Sequence, residues 1–450
     1  MSTIVREREA PADPATTPAI LLTSDAHAGP RMVEDLRPYC PRAHLPAYDE
    51  FVAEIAPVRD WWWQSGAPGN QEPGHYDSEA RVRDLTRDGY VGEVIFHFSF
   101  NGEMIPFTPT LAHSDAPTDL GLAAVGMRIY NRWLADFCAG HPGRAGLAYV
   151  PYWDIEASVA EVEWAAAAGL RGVNWPAMRE NILPYDRAEY EPFWAACAAH
   201  GMPLTTHGGA TSPTSHTHEY LSLLEAGGPM NRRAIHRLIF SGVFERHPDL
   251  MLVMTEQPGL WEPQLMEDMD SAYKACTNPN RGGASVLAKT RPKMQAPPKW
   301  KGYAVNAIPL QPLPKLPSEY FLSNVRVGAS FMAHFEAVAA VDGGWSDIVM
   351  YGTDYPHPEG SWKVPDTDDE PSQVLRALQV TFEGLPTDAI RAMAGENLAR
   401  CYGLDLGALQ RRAIEIGAPT PARLAEPTDG PRAGVGGTGG MAFRRESIWF

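Results

Sequence analysis

The sequence has no Cys-x-x-Cys pair, no Gly-x-Gly-x-x-Gly turn after its first apolar run, no long apolar run and no excess of basic residues. Its five cysteines, Cys40, Cys138, Cys197, Cys276 and Cys401, are scattered and odd in number, which argues against a disulfide framework and against a thiolate zinc site. With 38 Lys and Arg against 55 Asp and Glu, a formal charge of −17, the chain has no basic face on which to track phosphates or an anionic membrane. No stretch approaches the roughly 20 apolar residues that span a bilayer. Residues 1–18 are polar and rich in Pro, Ala and Thr, without the apolar segment of a signal peptide. The expectation is a soluble cytoplasmic protein whose partner is a small molecule, with neither nucleic acid nor membrane, assembled as a homo-oligomer or with a related chain.

What is present is enough apolar material for a large core, 44% of 450 residues. Short β-branched runs, each followed by a helical pattern, recur at Ile20–Asp25, Val91–Phe96, Gly146–Pro151, Gly172–Trp175, Pro203–His207, Met251–Glu256, Val325–Ser330 and Asp347–Gly352. The segment Asp154–Gly169 places Asp at a helix N-cap and Gly at its C-cap. Helices are also read over Arg187–His200, Asn231–Arg246 and Ser372–Glu383. Strand–helix alternation predicts a parallel sheet, and eight units without a Rossmann turn favour a closed (β/α)8 TIM barrel. The barrel is expected over residues 19–405, after a flexible segment 1–18. Gly29–Ser78, with the triplet Trp61-Trp62-Trp63, and Thr277–Pro317 are too long for ordinary βα loops and read as insertions on the catalytic face. Residues 406–450 read as a C-terminal extension, with a flexible Pro/Gly-rich arm from Ala418.

The chemistry concentrates at strand ends. In Ser24-Asp25-Ala26-His27 the period of two puts Asp25 and His27 on one side of the first strand, where a carboxylate and an imidazole can share a metal ion. The fifth run ends in His207, the sixth in Glu256, and the eighth leads into Asp354. Four strands thus deliver five ionisable groups to one rim, a costly arrangement unless they are paired or metal-bound. Asp25, His27, His207, Glu256 and Asp354 are the candidate metal ligands, with Asp354, Glu256 and His207 as candidate catalytic groups. His97, His216, His218 and His357 are candidates for contact with substrate or with the ligands.

These motifs resemble the amidohydrolase superfamily, in its amidohydrolase-2 branch of aminocarboxymuconate-semialdehyde- and resorcylate-type decarboxylases. The likeness rests on SDAH at Ser24–His27, THGG at Thr206–Gly209, GVFERHPDLMLVMTEQ at Gly242–Gln257, LPSEYF at Leu316–Phe321 and YGTDYPHPEGSW at Tyr351–Trp362. It implies a metal held by Asp25, His27, His207 and Asp354. Two departures stand out: Asp25 replaces the usual His or Glu, and Glu256 replaces a proton-donating histidine. Oxygen-rich sets with a few imidazoles suit one or two ions of Zn, Mn or Fe. The resemblance implies a metal-dependent hydrolase or decarboxylase acting on a small carboxylate- or carbonyl-bearing substrate. The alternative is a dinuclear iron or manganese oxygenase with Glu256 as an extra ligand.

Overall fold

A computed structural model describes residues 13–65, 69–108, 119–178, 182–208, 232–257, 259–277, 312–330, 332–357, 360–362, 367 and 372–427. Eight strands, β1 (Leu22–Ala28), β2 (Gly92–His97), β3 (Arg144–Tyr149), β4 (Gly172–Asn174), β5 (Leu204–His207), β6 (Leu252–Thr255), β7 (Val325–Ser330) and β8 (Val349–Gly352), follow one another in sequence order in one sheet. Every ladder is parallel. Helices lie between the strands, giving the nearly closed (β/α)8 barrel that the alternation predicts. Asp154 caps the helix Ile155–Ala167 by accepting the Ala157 N–H at 3.0 Å, and Gly169 follows it with φ 91°.

The core divides as a two-residue period requires. Val94, Phe96, Ala145, Leu147, Val253 and Met350 belong to a smaller cluster inside the barrel. Ile95, Ala148, Leu252, Met254, Val349 and Tyr351 face the helices in the larger one. The lower end of the barrel is plugged by Leu398, Ala399, Tyr402, Leu404 and Leu409. Tyr402 Oη lies 2.9 Å from the Thr205 hydroxyl inside that plug.

Strand β1 departs from simple alternation. It pairs Leu22 with Gly92 and Thr23 with Glu93, then Ala26 with Ile95 and His27 with Phe96, so one extra residue is accommodated between Thr23 and Ala26. Ile20 and Leu22 face inward before the bulge, whereas Ala26 and Ala28 face outward after it. Asp25 and His27 therefore turn into the barrel. Thr23 fixes the bulge: its hydroxyl donates to the Asp25 carbonyl at 2.7 Å and accepts the Thr353 N–H at 2.8 Å.

Between β8 and β1 the barrel is closed by backbone bonds just past the end of β8. The Asp354 N–H donates to the Asp25 carbonyl at 2.9 Å and the His27 N–H to the Tyr355 carbonyl at 2.6 Å.

Three expectations are corrected. The helix read over Asn231–Arg246 is two among the described residues, Arg233–Phe240 and Val243–Arg246, because Gly242 takes a left-handed φ of 71° that ends the first. The tail after Ala418 begins as packed structure, with a helix at Pro421–Leu424 whose Leu424 is fully buried. Residues 13–18 are tied to that region, since the Ala422 N–H donates to the Ala15 carbonyl and Gln410 to that of Pro18. The apolar side chains Leu409, Ala413 and Leu424 have buried faces to cover, which a free arm would leave in water. Much of the insertion expected at 277–317 lies outside the described residues.

Candidate metal centre

Three imidazoles and two carboxylates converge where β1, β5 and β8 end. Asp25 Oδ1 stands 3.2 Å from both His27 Nε2 and His207 Nε2. Asp354 Oδ1 stands 3.2 Å from His27 Nε2 and 3.0 Å from His357 Nδ1. The donor atoms form two triads, Asp25–His27–His207 and His27–Asp354–His357. Both carboxylates are wholly buried, His27 and His357 nearly so.

The far nitrogen of each ring is committed to a backbone carbonyl. His27 Nδ1 reaches the His97 carbonyl at 2.9 Å, His207 Nδ1 that of Gly208 at 2.6 Å, and His357 Nε2 that of Phe98 at 2.8 Å. A carbonyl only accepts, so each of those nitrogens carries its proton. In the neutral rings, the other three nitrogens are the lone-pair atoms, and they stand 3.0–3.2 Å from carboxylate oxygens. Acceptor facing acceptor needs a positive charge between the two. His27 Nε2 and both Asp354 oxygens satisfy no hydrogen bond, and a cation would satisfy all three. Two carboxylates and one divalent ion are neutral as a set, so the residues fit such an ion.

With protons alone, the cluster polarises itself. Burial pushes the Asp25 carboxyl up, but His207 and His27 hold it well below the usual range. Burial works against charge on the two rings, yet Asp25 and Asp354 raise His27 to about 10, and Asp25 with Glu256 raises His207 to about 9. Burial and the neighbouring Asp25 charge push Asp354 up to about 6. Two imidazolium charges thus stand where one divalent cation would.

Local structure aims these groups. Gly352, on the inward face of β8, leaves room for Asp25; a Cβ there would lie 2.9 Å from Asp25 Cβ. The Ser330 hydroxyl, from the end of β7, donates to Asp25 Oδ2 at 2.5 Å. Asp354 has a left-handed φ of 57°, as do Glu256 at 56° and Phe98 at 73°. Such backbone costs on the order of 1–3 kcal/mol per residue and is found where surroundings hold it for a purpose. The buried Arg81 donates to the His27 carbonyl at 2.7 Å while Glu93 neutralises it, and its guanidinium lies 4.7 Å from the centre of the Tyr355 ring.

Glu256 is not brought among the donors. Its Oε2 lies 3.5 Å from His207 Nδ1, on the side of the ring away from Asp25. Thr255 is the last inward residue of β6, and Glu256 follows it with reversed backbone. His97 gives the site only its carbonyl. Its ring follows the outward parity after Phe96, packs edge-on to Tyr130 at 5.1 Å, and is pushed down to about 3 by burial. His216 and His218 lie outside the described residues. Trp62 joins the site's wall through Phe98 at 6.0 Å and Phe100 at 5.2 Å, and Phe100 lies 4.3 Å from His357. Trp61 and Trp63 are exposed. Ser330 was missed by sequence reasoning, because a serine at the end of an expected strand carries no distinctive signal. No helix among the described residues is long and apolar enough to cross a membrane.

A family model described as amidohydrolase matches residues 106–283, a span that holds His207 and Glu256 but not Asp25, His27, Asp354 or His357. No curated protein matches the sequence. Among solved structures, the fold is similar to 5-carboxyvanillate decarboxylase of Sphingomonas paucimobilis, with 19% identity and TM-score 0.57, covering 86% of this chain and 100% of that one. It is also similar to the 5-carboxyvanillate decarboxylase of Novosphingobium aromaticivorans complexed with manganese and 4-hydroxy-3-methoxy-5-nitrobenzoic acid, with 18% identity, TM-score 0.55 and coverage of 86% and 96%. An amidohydrolase of Mycobacterium avium subsp. paratuberculosis matches with 16% identity, TM-score 0.56 and coverage of 86% and 99%. The resemblance carried by the motifs is borne out: the chain matches the amidohydrolase family over residues 106–283 and is built on the barrel fold of these enzymes.

Proposed function

We propose that this protein is a divalent-metal-dependent hydrolase or carboxy-lyase acting on a small substrate with a carboxylate or carbonyl group. The observation that carries the reading is the set of committed imidazoles facing two buried carboxylates at the carboxyl ends of the strands. Asp25, His27, His207 and Asp354 would hold the ion. A divalent ion so held supplies a Lewis acid that polarises a carbonyl or carboxylate oxygen. Manganese is the first choice, supported by the manganese in the Novosphingobium decarboxylase complex; zinc and iron suit the same donors.

The chain's own residues divide the remaining work. Asp354 Oδ2, buried and without a hydrogen bond, is placed to take or return a proton in the reacting complex. Glu256, beside His207 Nδ1, orients that ring and raises its basicity, as an anion behind a metal-bound histidine does. Phe98, Phe100 and Trp62 wall the mouth with apolar surface that strengthens charge interactions inside. The position of Glu256 behind His207 favours this reading over a dinuclear oxygenase with Glu256 as an extra ligand. The test is to load the purified protein with Mn(II) and screen hydroxybenzoates, other small carboxylic acids and amides for CO2 release or hydrolysis. Turnover of one class that ceases on chelation and returns with Mn(II) is the expected result; a protein that takes up no divalent ion overturns the reading.

A further inference from the structure

We propose that His357 is itself a ligand of the metal, through Nδ1, rather than a residue that merely borders the site. The inference rests on the metal-dependent reading above. His357 lies outside the four-residue set implied by the motifs, yet its Nδ1 stands 3.0 Å from Asp354 Oδ1, nearer than the 3.2 Å at which His27 and His207 approach the carboxylates.

Three observations fix the ring and turn Nδ1 toward the donor cluster. First, Nε2 is 2.8 Å from the Phe98 carbonyl and must carry the proton, which makes Nδ1 the lone-pair nitrogen of the neutral ring. Phe98 presents that carbonyl from a left-handed φ of 73°, a strained conformation that non-glycine residues seldom adopt. Second, the ring is clamped: it stacks on His27 at 4.0 Å and 16°, with the edge of Phe100 at 4.3 Å. Third, the ring is 5% exposed, leaving little surface to offer a substrate. An added proton would neutralise the Asp354 contact, but it would also make His357 cationic face-to-face with His27, which lies between two carboxylates. A shared metal ion satisfies both rings without stacking two imidazolium charges.

The triads also show how the donors are connected. His27 Nε2 belongs to both, and an imidazole nitrogen has a single lone pair, so it serves one ion. Asp25–His27–His207 and His27–Asp354–His357 are therefore not two independent sites. His357 adds a nitrogen donor on the Asp354 side of His27, opposite the His207 side, and so enriches in nitrogen a set the motifs alone would make half carboxylate.

Cobalt(II) provides a readout that a bordering residue would not move. In a Co(II) protein, each coordinated histidine that keeps an N–H contributes one strongly shifted, solvent-exchangeable proton resonance. His27, His207 and His357 each keep one such N–H, tied to a carbonyl. The Co(II)-loaded protein is expected to show three shifted N–H signals, and His357→Phe, which preserves the stacked ring, two. The variant is also expected to bind Mn(II) roughly tenfold or more weakly. Two signals in the unmodified protein would overturn the assignment of His357 while leaving the metal reading intact, and that count does not depend on the variant folding. No shifted signal at all would overturn the metal reading itself and this inference with it.

Discussion

His207 reaches Asp25 with one nitrogen and the Gly208 carbonyl with the other, and its ring lies edge-on to Phe96 at 4.8 Å, a contact small beside the core of the barrel. His207→Ala is expected to lose bound Mn(II), measured by elemental analysis after desalting, while the far-UV circular dichroism of the barrel is unchanged; full metal retention would remove His207 from the site. Glu256→Gln separates the two roles that its position allows. Because Glu256 approaches His207 from behind, the metal-to-chain ratio is expected to hold while affinity and turnover fall by roughly tenfold. A halved ratio would return Glu256 to the ligands. At this scale most of the site was legible: Asp25, His27, His207 and Asp354 announce themselves as ionisable groups at the ends of apolar runs, where burial without a partner is too costly. His97 was readable in principle, because Phe96 faces inward and its neighbour must then face out. Ser330 was not, since a serine at a strand end has many ordinary uses. The approach of His357 to Asp354 depends on a left-handed turn at Asp354 that a single letter does not reveal.

Elements were legible in kind and order, and less so in where they bend. The eight runs map onto the eight strands, but β1 extends three residues beyond its expected end at Asp25, to Ala28. An unbroken alternation from Leu22 would send Ser24 and Ala26 inward; the bulge at Thr23–Ala26 reverses this, and nothing in the letters marks the extra residue. The bulge has a partner in Gly352 on β8, whose missing side chain admits Asp25. Gly352→Ala is therefore expected to displace Asp25. The cost should be on the order of 1–3 kcal/mol, as for overpacking elsewhere, with a loss of Mn(II) affinity alongside, measured by denaturant unfolding and by metal titration. An alanine variant with unchanged affinity would show that the β1–β8 contact is softer than its spacing suggests.

At the scale of the whole molecule, the proposed ion and a buried proton would both couple to stability. An ion that binds only the folded chain at about 100 times its Kd adds about 2.7 kcal/mol, which for 450 residues raises Tm by about 3 °C. Scanning calorimetry with Mn(II) and with chelator tests this, and identical midpoints would deny the coupling. Protons act through Glu103, in the loop after β2, where burial pushes the carboxyl from 4.5 up to about 7 while the Met32 N–H bond works against the shift. A folded-state value above the unfolded one gives stability that is complete below about 4.5 and is lost as pH rises through 7. Relative to wild type, Glu103→Gln should therefore gain in Tm between pH 5 and pH 8; a difference between the two proteins that does not change with pH would show that Glu103 titrates normally. The barrel itself follows from eight alternating units, whereas the packing of residues 13–18 and 406–427 beneath it was hidden by a composition that also suits a loose tail. The bonds that close the barrel carry one more consequence, for the order of events in synthesis and folding. Asp354 N–H to Asp25 and His27 N–H to Tyr355 join the first strand to the chain just past the last, so the candidate ligands on β1 meet Asp354 and His357 only after every intervening unit has been made and docked. A ribosome-bound chain ending before β8 would hold Asp25, His27 and His207 without Asp354 or His357. On the metal-dependent reading, metal capture would be a late event that marks a finished barrel, rather than a seed around which one grows.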